Sequence, residues 1–389
     1  MSEGSSRPLA GFRVLDFTRV LAGPYCTALM ADLGADVLKI EPPQGDDYRH
    51  IGPFYPDRSS ALFEAVNRGK RSIVLDLSQA TDRDLVLALA KSADVVVENF
   101  RPGVADKLGV GWAAFSEINP RLVYCSISGF GQHGPNAARP AYDIVIQAMS
   151  GIMAVTGDPD GPPTLIGESI ADVVSGLFGS WAILAALIER NRTGCGRYID
   201  VAMLDCMIAL QPLVVARSLA TGDRPHRVGN RHASSAPFGA FSAKDGLFVL
   251  AVLNGKLFDA LASVLGRPEL ATDARFATDA SRLAHEPVLR RTIEAWSSTM
   301  AAREAVDRLV SAGVPAAEVV DTAAALGSGQ ADVRPLLQRV THPRLGPISV
   351  PEQPVRFGGV LRGGAASAPA LGKPTAAARQ DPASLWQAR

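Results

Sequence analysis

The chain has 389 residues, enough for two or three domains of ~150 residues and for a core that needs neither disulfides nor metal. Lys plus Arg and Asp plus Glu each total 39, so no global field draws the chain to nucleic acid or an anionic membrane, and a bound anion must be held locally. The 47% of apolar residues excludes extended disorder, and 36 Gly with 27 Pro predict many tight turns and close backbone approaches.

Short β-branched runs at 12–17, 36–41, 72–77, 94–100 and 122–127 read as strands of a largely parallel sheet covered on both faces. Helical segments lie between them. One opens at Gly23-Pro24 and closes at Gly34, and another is expected from an N-cap at Ser78 to about Ser92. This alternation predicts a doubly wound α/β domain. Further on, the sequence predicts an apolar helix over 172–190, a strand at 198–201 and a helix to about 219. A polar loop at 221–236 follows. Lys244-Asp245-Gly246 then reads as the turn of a hairpin between 238–241 and 247–253. Three helical segments reach about 325, and the low-complexity stretch 363–389 reads as an extended surface tail.

The opening Met1-Ser2-Glu3-Gly4-Ser5-Ser6 has no apolar leader, and the run from Val173 to Ile188 is interrupted by Ser175, Gly176, Gly179 and Ser180. A buried helix and a cytoplasmic protein without membrane contact are the expectation. Cys26, Cys125, Cys195 and Cys206 form no ligand-like pattern and read as reduced core residues, with no metal site.

Gly129-Phe130-Gly131-Gln132-His133-Gly134 spells a dinucleotide fingerprint, but Pro135 and Pro140 forbid the helix that the fingerprint requires. His285-Glu286 lacks the second His of a zinc motif, because Leu289 stands there. Asp172 heads the long apolar helix. Its residue type there fits an N-cap, and equally a partly desolvated nucleophile toward an activated acyl carbon. Lys39, Arg49, Arg68, Lys70, Arg71, Arg101 and Lys107 cluster in the α/β half near predicted strand ends, where such sheets bind ligands.

Taken together, several segments resemble one family. They are 11–18 with Ala22-Gly23-Pro24, then 32–41, 67–72, Glu98-Asn99-Phe100-Arg101-Pro102-Gly103, and 129–132. Tyr142-Asp143 with 147–151, Ala171-Asp172, 193–196 and 313–316 complete the set. In this order, over about residues 8–355, they resemble the family III coenzyme A transferases, with the 229–238 segment most similar to the succinyl-CoA:dicarboxylate (glutarate-type) members.

The resemblance implies an α/β fold with a Rossmann-like large domain (1–220), a substrate loop (221–236), an inserted smaller α+β domain (237–325), a return to the large domain (326–362) and the tail (363–389). It also implies an interlocked homodimer. Asp172 falls on the family nucleophile, with Tyr142 and Asp143 beside it and Arg231, His232 and Ser234 toward a second carboxylate. Coenzyme A, a substrate and not a permanently bound cofactor, is expected at Arg19, Val20, Leu21, Lys39, Asn67, Lys70, Arg71, Asn99, Phe100, Arg101 and Lys107. The implied partners are acyl-CoA, a carboxylic acid and a second copy of the chain.

Two features depart from the family. The 229–238 segment lacks the glycine run of formyl- and oxalyl-transferring members, so an oxalate-type lid is not expected. The closing turn reads Leu371-Gly372-Lys373-Pro374-Thr375. Two rival readings are an α-methylacyl-CoA racemase and a non-catalytic CoA-binding protein. The racemase needs His where Tyr142 stands, and a phenol with pKa ~10 is poorly matched to removing a Cα proton near neutral pH.

Overall fold

A computed structural model describes residues 7–358, 366–372 and 380–386. The polar opening at 1–6, the stretches 359–365 and 373–379, and residues 387–389 lie outside the described residues, so parts of the expected return and tail do too. The chain divides into two compact units. The first comprises 1–153, 165–223 and 334–389, and the second 154–164 and 224–333. The sequence expectation put these boundaries at 220, 237 and 325, and assigned nothing from 154–164 to the smaller unit.

The first unit is built on six strands: β1 (Arg13–Asp16), β2 (Asp36–Glu41), β3 (Arg71–Val74), β4 (Val95–Glu98), β5 (Val123–Ser128) and β6 (Arg197–Ala202). All neighbouring pairs are parallel, in the order β3-β2-β1-β4-β5-β6. The chain leaves β1 to build one wing and returns to β4 to build the other. The strand order therefore reverses between β1 and β4, and the carboxyl ends of those strands open a crevice. Successive strand residues serve opposite cores. Val95 and Val97 pack with Cys26, Met30 and Ile183, whereas Val96 packs with Leu15, Leu38 and Phe115. This period of two explains why the strands read as continuous apolar runs.

The helix Ile170–Thr193 has 24 residues, more than the sequence predicted, and by length and composition it is apolar enough to cross a membrane. Half of its most apolar window is buried, and Ile183 is fully covered against the sheet, as in a core helix. It crosses the helix Ala22–Asp32 closely because Gly176 has no side chain. A Cβ there would lie 2.5 Å from the Ala22 carbonyl oxygen.

The second unit holds an antiparallel sheet of β7 (Phe238–Ser242), β8 (Leu247–Ala251) and β9 (Ala316–Glu318), in that order. Phe248 and Leu250 point into a core with Phe258, Leu261, Ile293 and Leu309, while Leu247 and Val249 face outward. The predicted hairpin is present as β7–β8. A second hairpin, β10 (Leu337–His342) with β11 (Gly346–Pro351), belongs to the first unit.

The described part of the tail is not an extended surface segment. Val74 N–H donates to the Gly372 carbonyl at 3.1 Å, Gly69 N–H donates to the Ala366 carbonyl at 2.9 Å, and Trp386 is buried in the second core. β3 is an edge strand with open backbone groups, and the tail covers them. Ser78 is not a cap either: the helix spans Ala80–Ala90, and the Ser78 hydroxyl bonds Asp76. Cys195 is exposed, whereas the other three cysteines are buried, and all four are free.

Candidate active site

The crevice at the β1/β4 switch contains a cavity of about 160 Å³. Its wall includes Arg19, Val20, Asn99, Phe100 and Arg101 from the loops after β1 and β4, Ser128 and Gly129 from the end of β5, Tyr142, and Asp172. No helix starts inside the Gly129–Gly134 motif. The next one begins at Asp143, and the motif instead brings backbone to the cavity wall. A volume of 160 Å³ is below the roughly 300–1,000 Å³ that enclose a whole drug-sized ligand, so a large ligand would place only one end in it. An apolar hollow of about 290 Å³ shares Arg19 and Phe100 with this cavity and is lined by Phe17, Ile40, Leu75, Leu77 and Val104.

Asp172 is the third residue of its helix, which starts from Ser169, so the expected N-cap role is overturned. The capping is done from elsewhere. Asp143, at the start of the helix Asp143–Met149, accepts the Ala171 N–H at 2.8 Å. Gln147, one turn further on, donates to the other Asp143 oxygen at 2.8 Å and accepts the Ile166 N–H at 3.0 Å. These bonds pin the segment that enters the long helix and leave the Asp172 carboxylate with no hydrogen bond or ion pair among the described residues. Burial, with the nearby Asp143 and Glu168 carboxylates, pushes the Asp172 pKa up to about 7. A carboxylate of raised basicity beside a small cavity is suited to nucleophilic attack. Tyr48, which no sequence motif flagged, feels the same charge: burial and then Asp172 push its phenol up to about 12.

The turn after β1 is fixed by buried charge. Lys39 and Lys70 have fully buried side chains, so neither presents its ammonium to a phosphate in solution, contrary to expectation. Lys39 Nζ meets Asp46 at 2.8 Å and donates to the Thr18 carbonyl. Lys70 Nζ meets Asp16 at 3.0 Å and donates to Asn67 Oδ1, which uses up the buried Asn67 as well. Burial works against the Asp16 charge, but Lys70, Lys39 and the Thr18 and Thr27 hydroxyls hold its carboxyl at about 2. The second Asp46 oxygen accepts the Val20 N–H at 3.0 Å and steadies Val20 at φ +68°, an unusual conformation for a β-branched residue. Asn99 clamps the same turn from β4, accepting from Arg19 N–H at 2.9 Å and donating to the Arg19 carbonyl at 2.8 Å. Lys39, Lys70 and Asn67 therefore shape the cavity wall instead of touching its contents.

Arg71 is also corrected. It opens β3 at the amino end of the sheet, where it forms a two-pronged pair with Asp36 and donates to the Leu385 carbonyl. Arg49 and Arg68 are paired with Glu41 and Asp32. Arg101 and Lys107 remain exposed, and no ion pair engages either among the described residues. Leu21 is buried as the residue from which the Ala22–Asp32 helix starts.

Arg231, His232 and Ser234 belong to the second unit. Arg231 is half-exposed and held by Glu286 at 2.8 Å, and the His232 ring stacks on Phe238 at 4.8 Å. Both line a cavity of about 670 Å³ on the outer face of β7–β9, whereas Ser234 donates its backbone N–H to His232 and stays outside it.

The chain matches the model of CoA-transferase family III over residues 9–375. The chain is 46% identical to an acetyl-CoA:oxalate CoA-transferase of Acetobacter aceti over 90% of each chain. It is 40% identical to a succinyl-CoA:mesaconate CoA-transferase of Haloarcula hispanica over 86% of each. A crystal structure of a CAIB/BAIF family protein from Brucella suis superposes with a TM-score of 0.86 at 39% identity, covering 98% of this chain and 100% of that one. The protein belongs to CoA-transferase family III, and it is an enzyme of the CoA-transferase class.

Proposed function

We propose that the enzyme moves CoA from succinyl-CoA, or another dicarboxyl-CoA, to a free dicarboxylic acid, with Asp172 as the nucleophile. The observation that carries this reading is the unpaired, partly buried Asp172 carboxylate, with a pKa near 7, in a cavity at the switch point of the sheet. Oxalate and mesaconate, the acceptors named for the two relatives, both carry two carboxyl groups. The absence of a glycine run at 229–238 favours mesaconate-like or longer dicarboxylic acids over oxalate in this reading.

Four steps complete the transfer. An Asp172 oxygen adds to the thioester carbonyl, the C–S bond breaks, and CoA thiolate leaves a mixed anhydride. The thiolate attacks the aspartyl carbonyl, releasing the donor acid and giving an aspartyl-CoA thioester. The acceptor carboxylate attacks that thioester and forms a second anhydride, again freeing the thiolate. Attack of the thiolate on the acceptor acyl carbon then yields the new acyl-CoA and restores the Asp172 carboxylate. The acyl group stays activated throughout, so no nucleotide is consumed, and exclusion of water protects each intermediate.

In this reading the acyl end occupies the smaller cavity and the nucleotide end the adjoining apolar hollow. Arg19 and Phe100 form the shared wall, Val20 and Asn99 stand beside them on the smaller cavity, and Arg101 and Lys107 meet phosphate. Arg231 and His232 offer polar groups for a carboxylate in the second unit's own cavity. That unit is a domain set into the larger one, as in the resemblance. The working form is a homodimer, supported by the exposed stripe Leu177, Trp181 and Ile188 (53%, 66% and 72%) along one face of the long helix. Four free cysteines fit a reducing, cytoplasmic setting.

The racemase reading is weaker, because Tyr142 is 70% exposed and, among the described residues, no second proton-transfer group is hydrogen-bonded to it. The test is CoA exchange from succinyl-CoA to a panel of dicarboxylic acids, followed by mass spectrometry, with hydroxylamine trapping of acylated Asp172. Full exchange by Asp172→Ala would overturn the mechanism, and solvent deuterium entering Cα without acyl exchange would favour the racemase.

A further inference from the structure

Ser128 ends β5 and lines the Asp172 cavity. It is 6% exposed, and its Oγ has no hydrogen-bond partner among the described residues. Leaving a buried hydroxyl unpaired is destabilising, and most buried polar groups in native proteins are paired. The same strand supplies its own control. Ser126, two residues earlier and so on the same face, is fully buried, and its hydroxyl accepts from Gln132 Nε2 at 2.8 Å. Of two hydroxyls in register on one strand, the one within the protein is satisfied and the one at the cavity wall is not.

We infer that the Ser128 hydroxyl donates a hydrogen bond to the carbonyl oxygen of the acyl thioester, making Ser128 a further catalytic residue. This rests on Asp172 being the nucleophile. The atoms that must come beside Asp172 are those of the thioester, whose only strong acceptor is the carbonyl oxygen. Charge gathers on that oxygen as Asp172 adds and is dispersed when the C–S bond breaks. The cations of the cavity wall, Arg19, Arg101 and Arg139, are exposed and suit the polar arms of CoA. A neutral donor fixed on a strand end costs nothing to reorganise and interacts more strongly with the developing oxyanion than with the ground-state carbonyl.

The inference gives opposite signs for stability and rate. In the full-length enzyme, Ser128→Ala is expected to melt at the same temperature as wild type or higher without substrate, since an unsatisfied group is removed. Acylation of Asp172, measured in a single turnover with succinyl-CoA and hydroxylamine trapping, is expected to slow ~10²-fold. Affinity for free CoA is expected to stay within ~2-fold, and Ser128→Thr, which keeps the hydroxyl, is expected to retain more rate than the alanine variant. Acylation by Ser128→Ala within ~3-fold of wild type would overturn the inference, as would a loss of CoA affinity equal to the loss of rate. If wild type itself yields no hydroxamate at residue 172, the Asp172 reading fails and this one with it.

Discussion

Asp143 Oδ1 accepts the backbone N–H of Ala171 at 2.8 Å, so the residue that caps the long helix belongs to another helix and bonds the peptide next to Asp172. The bond fixes where Asp172 stands, and the Asp143 charge adds to the burial that raises its pKa. Asp143→Asn keeps an acceptor oxygen and removes the charge. The acidic limb of kcat/KM is expected to move to lower pH, with the melting temperature little changed. Asp143→Ala loses the cap and is expected to cost about 1 kcal/mol of stability together with kcat. Paired pH–rate and thermal melts distinguish the two roles.

The pH dependence of wild type has a definite sign. The attack proposed for Asp172 requires its carboxylate form, so kcat/KM for acyl-CoA is expected to fall with unit slope below about pH 7. Stability runs the other way. The folded pKa exceeds the unfolded one, so the folded state holds an extra proton between about pH 4 and 7 and loses stability as pH rises through that window. Asp172→Asn is therefore expected to be inactive yet more stable than wild type at pH 8, by on the order of 2 kcal/mol after allowance for its partial exposure. Glu98, also pushed up to about 7 by burial, contributes a similar pH slope that this variant keeps. Urea melts at pH 5 and pH 8 measure both.

The two kinds of basic residue separate by experiment. Lys70→Met strands Asp16 without its ion-pair partner in the core and is expected to cost about 3–5 kcal/mol. Arg101→Ala removes an exposed side chain and is expected to change stability by less than ~0.5 kcal/mol while raising KM for acyl-CoA several-fold. Denaturation midpoints and KM values for both variants, measured side by side, check the assignment.

Gly176→Ala tests the helix crossing. Its Cβ would lie 2.5 Å from the Ala22 carbonyl oxygen, so the two helices must part. A loss of about 1–3 kcal/mol is expected, with a fall in kcat because the Val20–Ala22 turn and Asp172 line one cavity. An unchanged melting temperature would show that the crossing has slack.

The sheet was legible because its strands are short, β-branched and separated by helical segments, and all six expected runs fall in it. The nucleophile was legible as a residue type at a helix start, though its role came from the resemblance. Tyr48 and Ser128 were not legible, since no spacing marks a tyrosine in a polar turn or one serine among several on a strand. Lys39, Lys70 and Arg71 were misread for the reverse reason. A basic residue near a strand end looks the same in sequence whether its ammonium faces solvent or a buried aspartate.

By itself the sequence determined the alternation of strand and helix and the lack of a global charge, because these depend on local periodicity and composition, while the resemblance offered Asp172 as the candidate nucleophile. Only the tertiary structure decided which carboxylate stays unpaired, which lysines are spent on Asp16 and Asp46, and which strand hydroxyl has no partner among the described residues. Each of those is a contact between residues distant in the chain, made when parallel strands bring their carboxyl ends to one edge of the sheet.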